Sequence, residues 1–320
     1  MMPQPKILFA YEPSSLLLSD ALLVQVAEGG LTHDPRLNAK IDSDGGLSIA
    51  ITETLSLPVV VHFSGAIVPL RINVGKQACL HLIEHFSAQT STTSATTVAL
   101  EENARGYFYQ ISEIPEASAV HHRRQVHIAK DSYFSNHCIN LSLGTFTHDI
   151  AIELLGPQAS LDFFLLDQLY QSADTTTNLT IFHRSPTTES RQKVRAIYAD
   201  KARGTFLGKV IVDEAAAKSS AQQHYKTLLL SAGAKASVMP QLEINNFDIS
   251  ASHGATIGEL DVNALFYLQS RGLSLLEAKT LLVAALSSEI IESISLPELQ
   301  RIIEQKVSRA LLSSLEDRHA

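Results

Sequence analysis

Tryptophan is absent from this 320-residue chain, and aromatic residues make up only 6% of it. Surfaces that stack nucleic-acid bases are built from aromatics, so the chain is poor material for them. Positive charge is short as well: 25 Lys and Arg stand against 33 Asp and Glu, a net charge of −8. That balance gives no basic field for a phosphate backbone. Only two cysteines occur, Cys79 and Cys138. They cannot form a disulfide framework, which points to a reducing compartment. No apolar run reaches the roughly 18 residues of a membrane helix. The start, Met1 to Ser15, has neither the basic end and apolar run of a secretory signal nor the arginines of a transit peptide. A cytoplasmic location is therefore expected.

What is present favours burial. Hydrophobic residues reach 45% and charged residues only 18%, enough to fill a large core and too apolar for disorder. The length fits two domains or one elongated solenoid.

Three regions follow from the patterning. Residues 1–46 read as a short, partly helical region. There Ser14 or Ser15 caps a segment from Leu16 to Ala27, with Leu18, Leu22, Leu23 and Val26 at helical spacing and Gly29-Gly30 as the stop. Residues 47–245 carry short apolar or alternating runs between polar turns. Leu47–Ile51, Val59–Phe63, Cys79–Phe86, Ile150–Leu155 and Val194–Tyr198 are examples. Their content of Val, Ile, Thr and Phe predicts strands, and so many short strands predict a sandwich, a barrel or a β-solenoid. No strict repeat is visible to choose among them. Residues 246–320 turn helical after Asp261. Asp261 caps a helix that stops at Gly272, and Ser274 with Glu277 forms a capping box. A third helix starts at Ser295-Leu296-Pro297, with Leu299, Ile302, Ile303, Val307, Ala310 and Leu311 as an apolar stripe expected to pack on the chain's own core, with a partner groove as the alternative.

The densest information lies between Leu242 and Gly272. Ser252-His253-Gly254-Ala255-Thr256 is followed by Phe266-Tyr267-Leu268-Gln269-Ser270-Arg271-Gly272. Small neighbours leave the His253 imidazole room to project, and a neutral imidazole is a good iron ligand. This block resembles the C-terminal signature of the SufD proteins of the SUF iron–sulfur cluster assembly machinery. Weaker likeness reaches back to Leu141, through Asp149 to Gly156, His183 to Pro186 and Gly204 to Val210. The resemblance implies a mainly β fold with a right-handed parallel β-helix core, flanked by a short N-terminal and a C-terminal helical segment. It implies a scaffold rather than an enzyme, paired with SufB through the β core and with the SufC ATPase through the C-terminal helices. It also implies that His253, flanked by Ser252 and Gly254, contributes to the cluster-assembly site facing SufB and meets iron there transiently. Two cysteines cannot hold a cluster, which usually takes four ligands, so none is bound by the chain alone and the cluster would be shared with SufB. When alone, the chain is expected to homodimerise through the same surface. The chain departs from the family in two ways. Ala251 stands where some SufD proteins have a cysteine, and the region before the β core is short.

Other constellations carry less. His121-His122-Arg123-Arg124 and His127, near His137-Cys138 and His148, match no zinc spacing, and a surface strand or loop is expected. His81 and His85 sit in an alternating run and read as structural positions on a strand. Gly204 to Lys209 is one residue short of a phosphate loop, and Val210 replaces its hydroxyl residue. The threonine-rich run Thr90 to Thr97 reads as solvated edge or turn. Two rival functions remain: a structural relative with no chemical role for His253, and a β-solenoid acting on carbohydrate, for which no paired carboxylates are evident.

Overall fold

The computed structural model describes residues 18, 20–27, 30–64 and 68–316. In chain order the first strands are β1 (Leu22–Ala27), β2 (Gly30–His33), β3 (Ala39–Ile41), β4 (Leu47–Ile51), β5 (Val59–Phe63), β6 (Leu70–Val74) and β7 (Cys79–Phe86). Next come β8 (Thr92–Leu100), β9 (Arg105–Ser112), β10 (Ala119–Ile128), β11 (Tyr133–Asn140), β12 (Thr145–Leu154) and β13 (Ser160–Leu169). The last are β14 (Asp174–His183), β15 (Glu189–Tyr198), β16 (Arg203–Val212), β17 (Ser219–Leu229), β18 (Lys235–Ile244) and β19 (Ile249–Gly258). Helices α1 (Val262–Ser270), α2 (Leu275–Ile291) and α3 (Pro297–Glu316) follow.

From β4 onward, successive strands alternate between two parallel sheets. Sheet A runs β19-β17-β15-β13-β11-β9-β7-β5-β1-β2, and sheet B runs β18-β16-β14-β12-β10-β8-β6-β4-β3. The result is the expected parallel β-helix, a solenoid of about 7 turns with its helices at the C-terminus. Coils repeat at about 28 residues, the separation of cross-coil pairs such as His121 and Asp149. At the other end, the antiparallel pairs β1–β2 and β3–β4 close the stack.

The corners explain how the stack holds its phase. Where the chain passes from sheet B into sheet A, Gln77, Asn103, Asp131, Gln158, Thr187 and Lys218 all take a left-handed backbone, φ 57° to 61°. The Asn103 N–H donates to the Lys130 carbonyl at 3.0 Å, and the Asp131 N–H to the Pro157 carbonyl at 3.0 Å, each one coil further on. The residue after each left-handed position is small and buried: Ala78, Ala104, Ser132, Ala159, Thr188 and Ser219. Elsewhere the stack leaves no room for a side chain. A Cβ on Gly156 would stand 2.1 Å from the Lys130 nitrogen.

Between the sheets lies a lumen. Its first coils are aliphatic, with Leu47, Ile49, Leu70 and Leu80 almost wholly buried. Its middle is polar. Glu84 on β7 and Arg124 on β10 pair across it, both at most 1% exposed. Arg124 also donates to Asn136 Oδ1 at 2.6 Å and Gln110 Oε1 at 3.1 Å, while Thr96 donates to Glu84 at 2.6 Å.

Helices α2 and α3 lie across the outer face of sheet A. Ser274 and Glu277 make the expected capping box on α2, and Asp261 caps α1. The stripe Leu299, Ile303, Val307 and Leu311 is buried to 3% exposure or less, together with Ile83, Ile111, Ile139 and Leu166 of the sheet. Each such side chain contributes about 1.5–3 kcal/mol on burial. Polar links cross the same seam. Arg195 pairs with Glu289 at 2.6 Å, Lys306 with Glu113 at 2.8 Å, and His137 Nε2 bonds Ser293 Oγ at 2.9 Å.

Three sequence expectations are corrected. Leu22 to Ala27 is strand β1, not helix, because Leu22, Val24 and Val26 alternate into the core at 5%, 0% and 2% exposure. The proposed caps Ser14 and Ser15 lie outside the described residues. Thr92 to Thr97 belongs to β8, an interior strand of sheet B whose Ser94 and Thr96 are buried in the lumen. His122 and Arg124 are fully buried rather than on the surface, whereas their neighbour His121 faces outward. His81 and His85 do lie on a strand, on the outer face of sheet A.

Candidate functional site

His253 lies in the middle of β19, the last strand of sheet A. Parallel partners share a face, and the register pairs His253 with Gln223, a lumen residue only 2% exposed. His253 therefore occupies a lumen-facing position in a coil that no later coil covers. Ile249, Ala251, Ala255 and Ile257 share its face, paired with Ser219, Ala221, Tyr225 and Thr227. From sheet B, Val238, Leu242 and Ile244 occupy the matching positions on β18, opposite Phe206, Val210 and Val212 of β16. The last coil is thus an unfinished core. Ile244 and Ile257 are 41% and 47% exposed, whereas Val212 and Thr227 behind them are 1% and 3%.

The edge itself is equally open. Both sheets end on strands of ten residues, β18 and β19, with one side unpaired. Exposed edges are usually blunted with lysine, proline or a bulge. β18 has Lys235 and Pro240, but the sequence of β19, ISASHGATIG, contains no charge and no proline. Gly254 and Gly258 lie within it. Neither has positive φ, and a Cβ on either would meet nothing within 4 Å. Nothing in this chain requires glycine there, so both suit close approach by a backbone from elsewhere. Ser252 and Gly254, singled out with His253, flank it on the same strand and are exposed.

The other histidines have different surroundings. His122 and His148 are buried in the lumen, their rings 4.9 Å apart. Burial pushes His122 down to about 3 and His148 well below the usual imidazole range, so both are neutral. Cys138 Sγ lies 3.9 Å from His148 Nδ1, and burial pushes its thiol up to about 11. His137 packs under α2 and α3, stacked on Phe164, and is held down to about 3 by burial. Among the described residues no three His, Cys, Asp or Glu side chains gather as a metal site.

Beside this end, α1 is capped, and none of its residues is fully buried. Val262, Phe266 and Tyr267 are 75%, 73% and 56% exposed. The sequence reading missed Ile244, Ile257 and Gly258 as parts of the end surface. Their signal is only their register against buried residues one coil back.

Fold and site together define a parallel β-solenoid with an uncovered, uncharged last strand bearing one histidine. A family model described as "SUF system FeS cluster assembly, SufBD core domain" matches residues 64–286. The chain belongs to this SufB/SufD family. It is 34% identical over 170 residues to an iron–sulfur cluster assembly SufBD family protein of Synechocystis, covering 53% of this chain and 38% of that protein. It is 28% identical over 236 residues to the iron–sulfur cluster assembly protein SufD of Escherichia coli, covering 72% of this chain and 55% of that protein. SufD of Bacillus subtilis is 29% identical over 131 residues, 40% of this chain and 30% of that protein. The chain thus spans about half or less of the length of these relatives. Relatives carrying the SufD name, bacterial and Plasmodium, put it on the SufD side of the family. No helix among the described residues is long and apolar enough to cross a membrane.

Proposed function

We propose that this chain is the SufD-like subunit of an iron–sulfur cluster assembly scaffold with SufB and SufC. The observation that carries the reading is the placement of His253, lumen-facing yet uncovered on a strand with one side unpaired. A SufB solenoid seated on β18 and β19 would extend both sheets, cover Ile244 and Ile257, and bring its own groups to the imidazole. In that arrangement His253 offers a nitrogen lone pair to incoming iron, and SufB supplies the thiolate. The cluster is cargo shared across the interface, and the chain works as a scaffold rather than a catalyst. Ser252, Gly254 and Gly258 let the partner backbone approach. SufC docks on the C-terminal helices, for which the apolar side chains of α1 are the available surface. Without SufB, a second copy pairs through the same end. Free Cys79 and Cys138 agree with a reducing, cytoplasmic setting.

The test is co-purification with SufB and SufC, wild type against His253→Ala, followed by anaerobic iron and sulfide quantitation. The expected result is an intact complex that has lost its iron and sulfide. Equal iron and sulfide in both samples would remove the chemical role of His253 and leave a structural partner.

A further inference from the structure

Directly behind His253, one coil back, lies Gln223, its register partner on β17. We propose that Gln223 is the positioning residue for His253: its Oε1 accepts the imidazole N–H and so fixes which ring nitrogen is left bare for iron. The proposal rests on the reading of His253 as the residue that meets iron.

The orientation of the Gln223 amide is set by its own chain. Its Nε2 donates to the Gly208 backbone carbonyl at 3.0 Å and to Gln192 Oε1 at 3.4 Å. A backbone carbonyl can only accept, so the atom facing it is nitrogen and the remaining atom is oxygen. Gln192 is anchored in turn by the Tyr225 hydroxyl, which donates to Gln192 Oε1 at 2.6 Å. Gln223 Oε1 is buried and meets no donor. A buried acceptor without a partner is costly, and native structures rarely leave one.

The surroundings make this local to the open end. In the same lumen column, earlier coils carry Leu82, Phe108, Asn136 and Phe163. The last three coils carry Gln192, Gln223 and His253. Two interlocked amides thus lead to the exposed imidazole of this column. Paired parallel strands stand about 4.8 Å apart, a separation that side chains on one face span easily. A neutral imidazole has one N–H and one bare nitrogen. When the bare nitrogen binds a metal, the N–H is nearly always held by an acceptor, and losing that acceptor typically costs about 10–100-fold in metal affinity. Gln223 Oε1 is a buried acceptor on the adjacent strand with no partner among the described residues; the His253 ring does not bond it in this structure and would turn inward to do so.

The experiment reads the tautomer first and iron second. Ring-nitrogen NMR of the isolated, nitrogen-labelled chain at about pH 8, where the free imidazole is neutral, identifies His253 by the signals lost in His253→Ala. The wild type is expected to show one dominant tautomer. Gln223→Leu should show a mixture of both, and Gln223→Glu, which keeps an acceptor, should restore one. Gln223→Met replaces the leucine variant if that variant does not fold. Identical His253 signals in the wild type and the apolar variant would overturn the proposal. In the complex with SufB and SufC, Gln223→Leu should weaken iron retention at least about 10-fold with subunit ratios unchanged. Undiminished iron beside a scrambled tautomer would overturn the positioning role. If His253→Ala keeps full iron, the reading of His253 fails by itself, while the tautomer comparison still decides the hydrogen bond.

Discussion

Arg124 and His253 both face the lumen of one solenoid, Arg124 at its middle and His253 at its open end. Arg124 is met by Glu84, Asn136 and Gln110 and is fully buried, and burial pushes its guanidinium down to about 10, still a cation at neutral pH. The ring of His253 is exposed, and no side chain among the described residues hydrogen-bonds it. The difference shows that polarity inside this fold has two uses. In the middle, polar groups satisfy one another and hold the two sheets in register. At the end, a polar group is left exposed and without a side-chain partner among the described residues, as the proposed pairing with another chain requires.

The sharpest way to break the comparison is to strand the interior cation. Glu84→Gln leaves Arg124 buried without a counter-charge and should cost about 3–5 kcal/mol by denaturant unfolding. A loss below about 1 kcal/mol would mean that the middle is no better satisfied than the end.

Asp167 tests the same interior by pH. It is buried with Tyr198 donating to one oxygen at 3.1 Å while the other meets no hydrogen-bond donor among the described residues, and burial pushes its carboxyl up to about 7 against the lowering pull of Tyr198 and Asn140. The folded state therefore keeps a proton that the unfolded chain releases near 4. Stability falls as pH rises from about 4 through 7 and stays low above that. Asp167→Asn should gain on the order of 1–3 kcal/mol at pH 8 and little at pH 4. Parallel pH profiles of the two proteins would contradict this.

Substitutions at the open end should barely move stability. Ile257→Lys should change it by less than about 0.5 kcal/mol, as for other exposed positions, yet weaken association with SufB or a second copy at least tenfold. Light-scattering mass and a titration of the partner measure both. His253→Ala should have the smallest effect on unfolding, within about 0.5 kcal/mol, with its consequence confined to iron. A drop beyond about 2 kcal/mol would show that His253 belongs to the packed core after all.

The same contrast explains what could be read from the chain. Strands with aliphatic lumen faces, such as Leu47 to Ile51, are plain in the sequence because alternation shows as apolar against polar. β8 and β10 are not, because their inward side chains include Ser94, Thr96, His122 and Arg124. An inward threonine looks like an outward one until its partner across the lumen is known. The repeat was hidden for a related reason. What recurs at each corner from sheet B into sheet A is one left-handed residue followed by one small residue, and the left-handed residues there vary as Gln, Asn, Asp, Thr and Lys. The helices were legible from Asp261, Ser274 and Pro297, because caps are local signals. His253 was legible only through its neighbours. That its strand is the last of the stack, with Gln223 behind it, depends on pairing about 30 residues apart and is not written locally.

Solenoids of this kind hold each coil only by its neighbours, so one end can unravel while the other stays folded. The helical strap changes that. Its apolar cluster reaches from Leu228 on β17 to Val60 on β5, and its polar links fasten Arg195, His137 and Glu113 on different coils. Under load, or during thermal unfolding, coils beneath the strap cannot leave one at a time without tearing it away. The strap turns a stack that would melt stepwise into one that yields as a unit, while the outward side chains of β19 stay exposed beyond it.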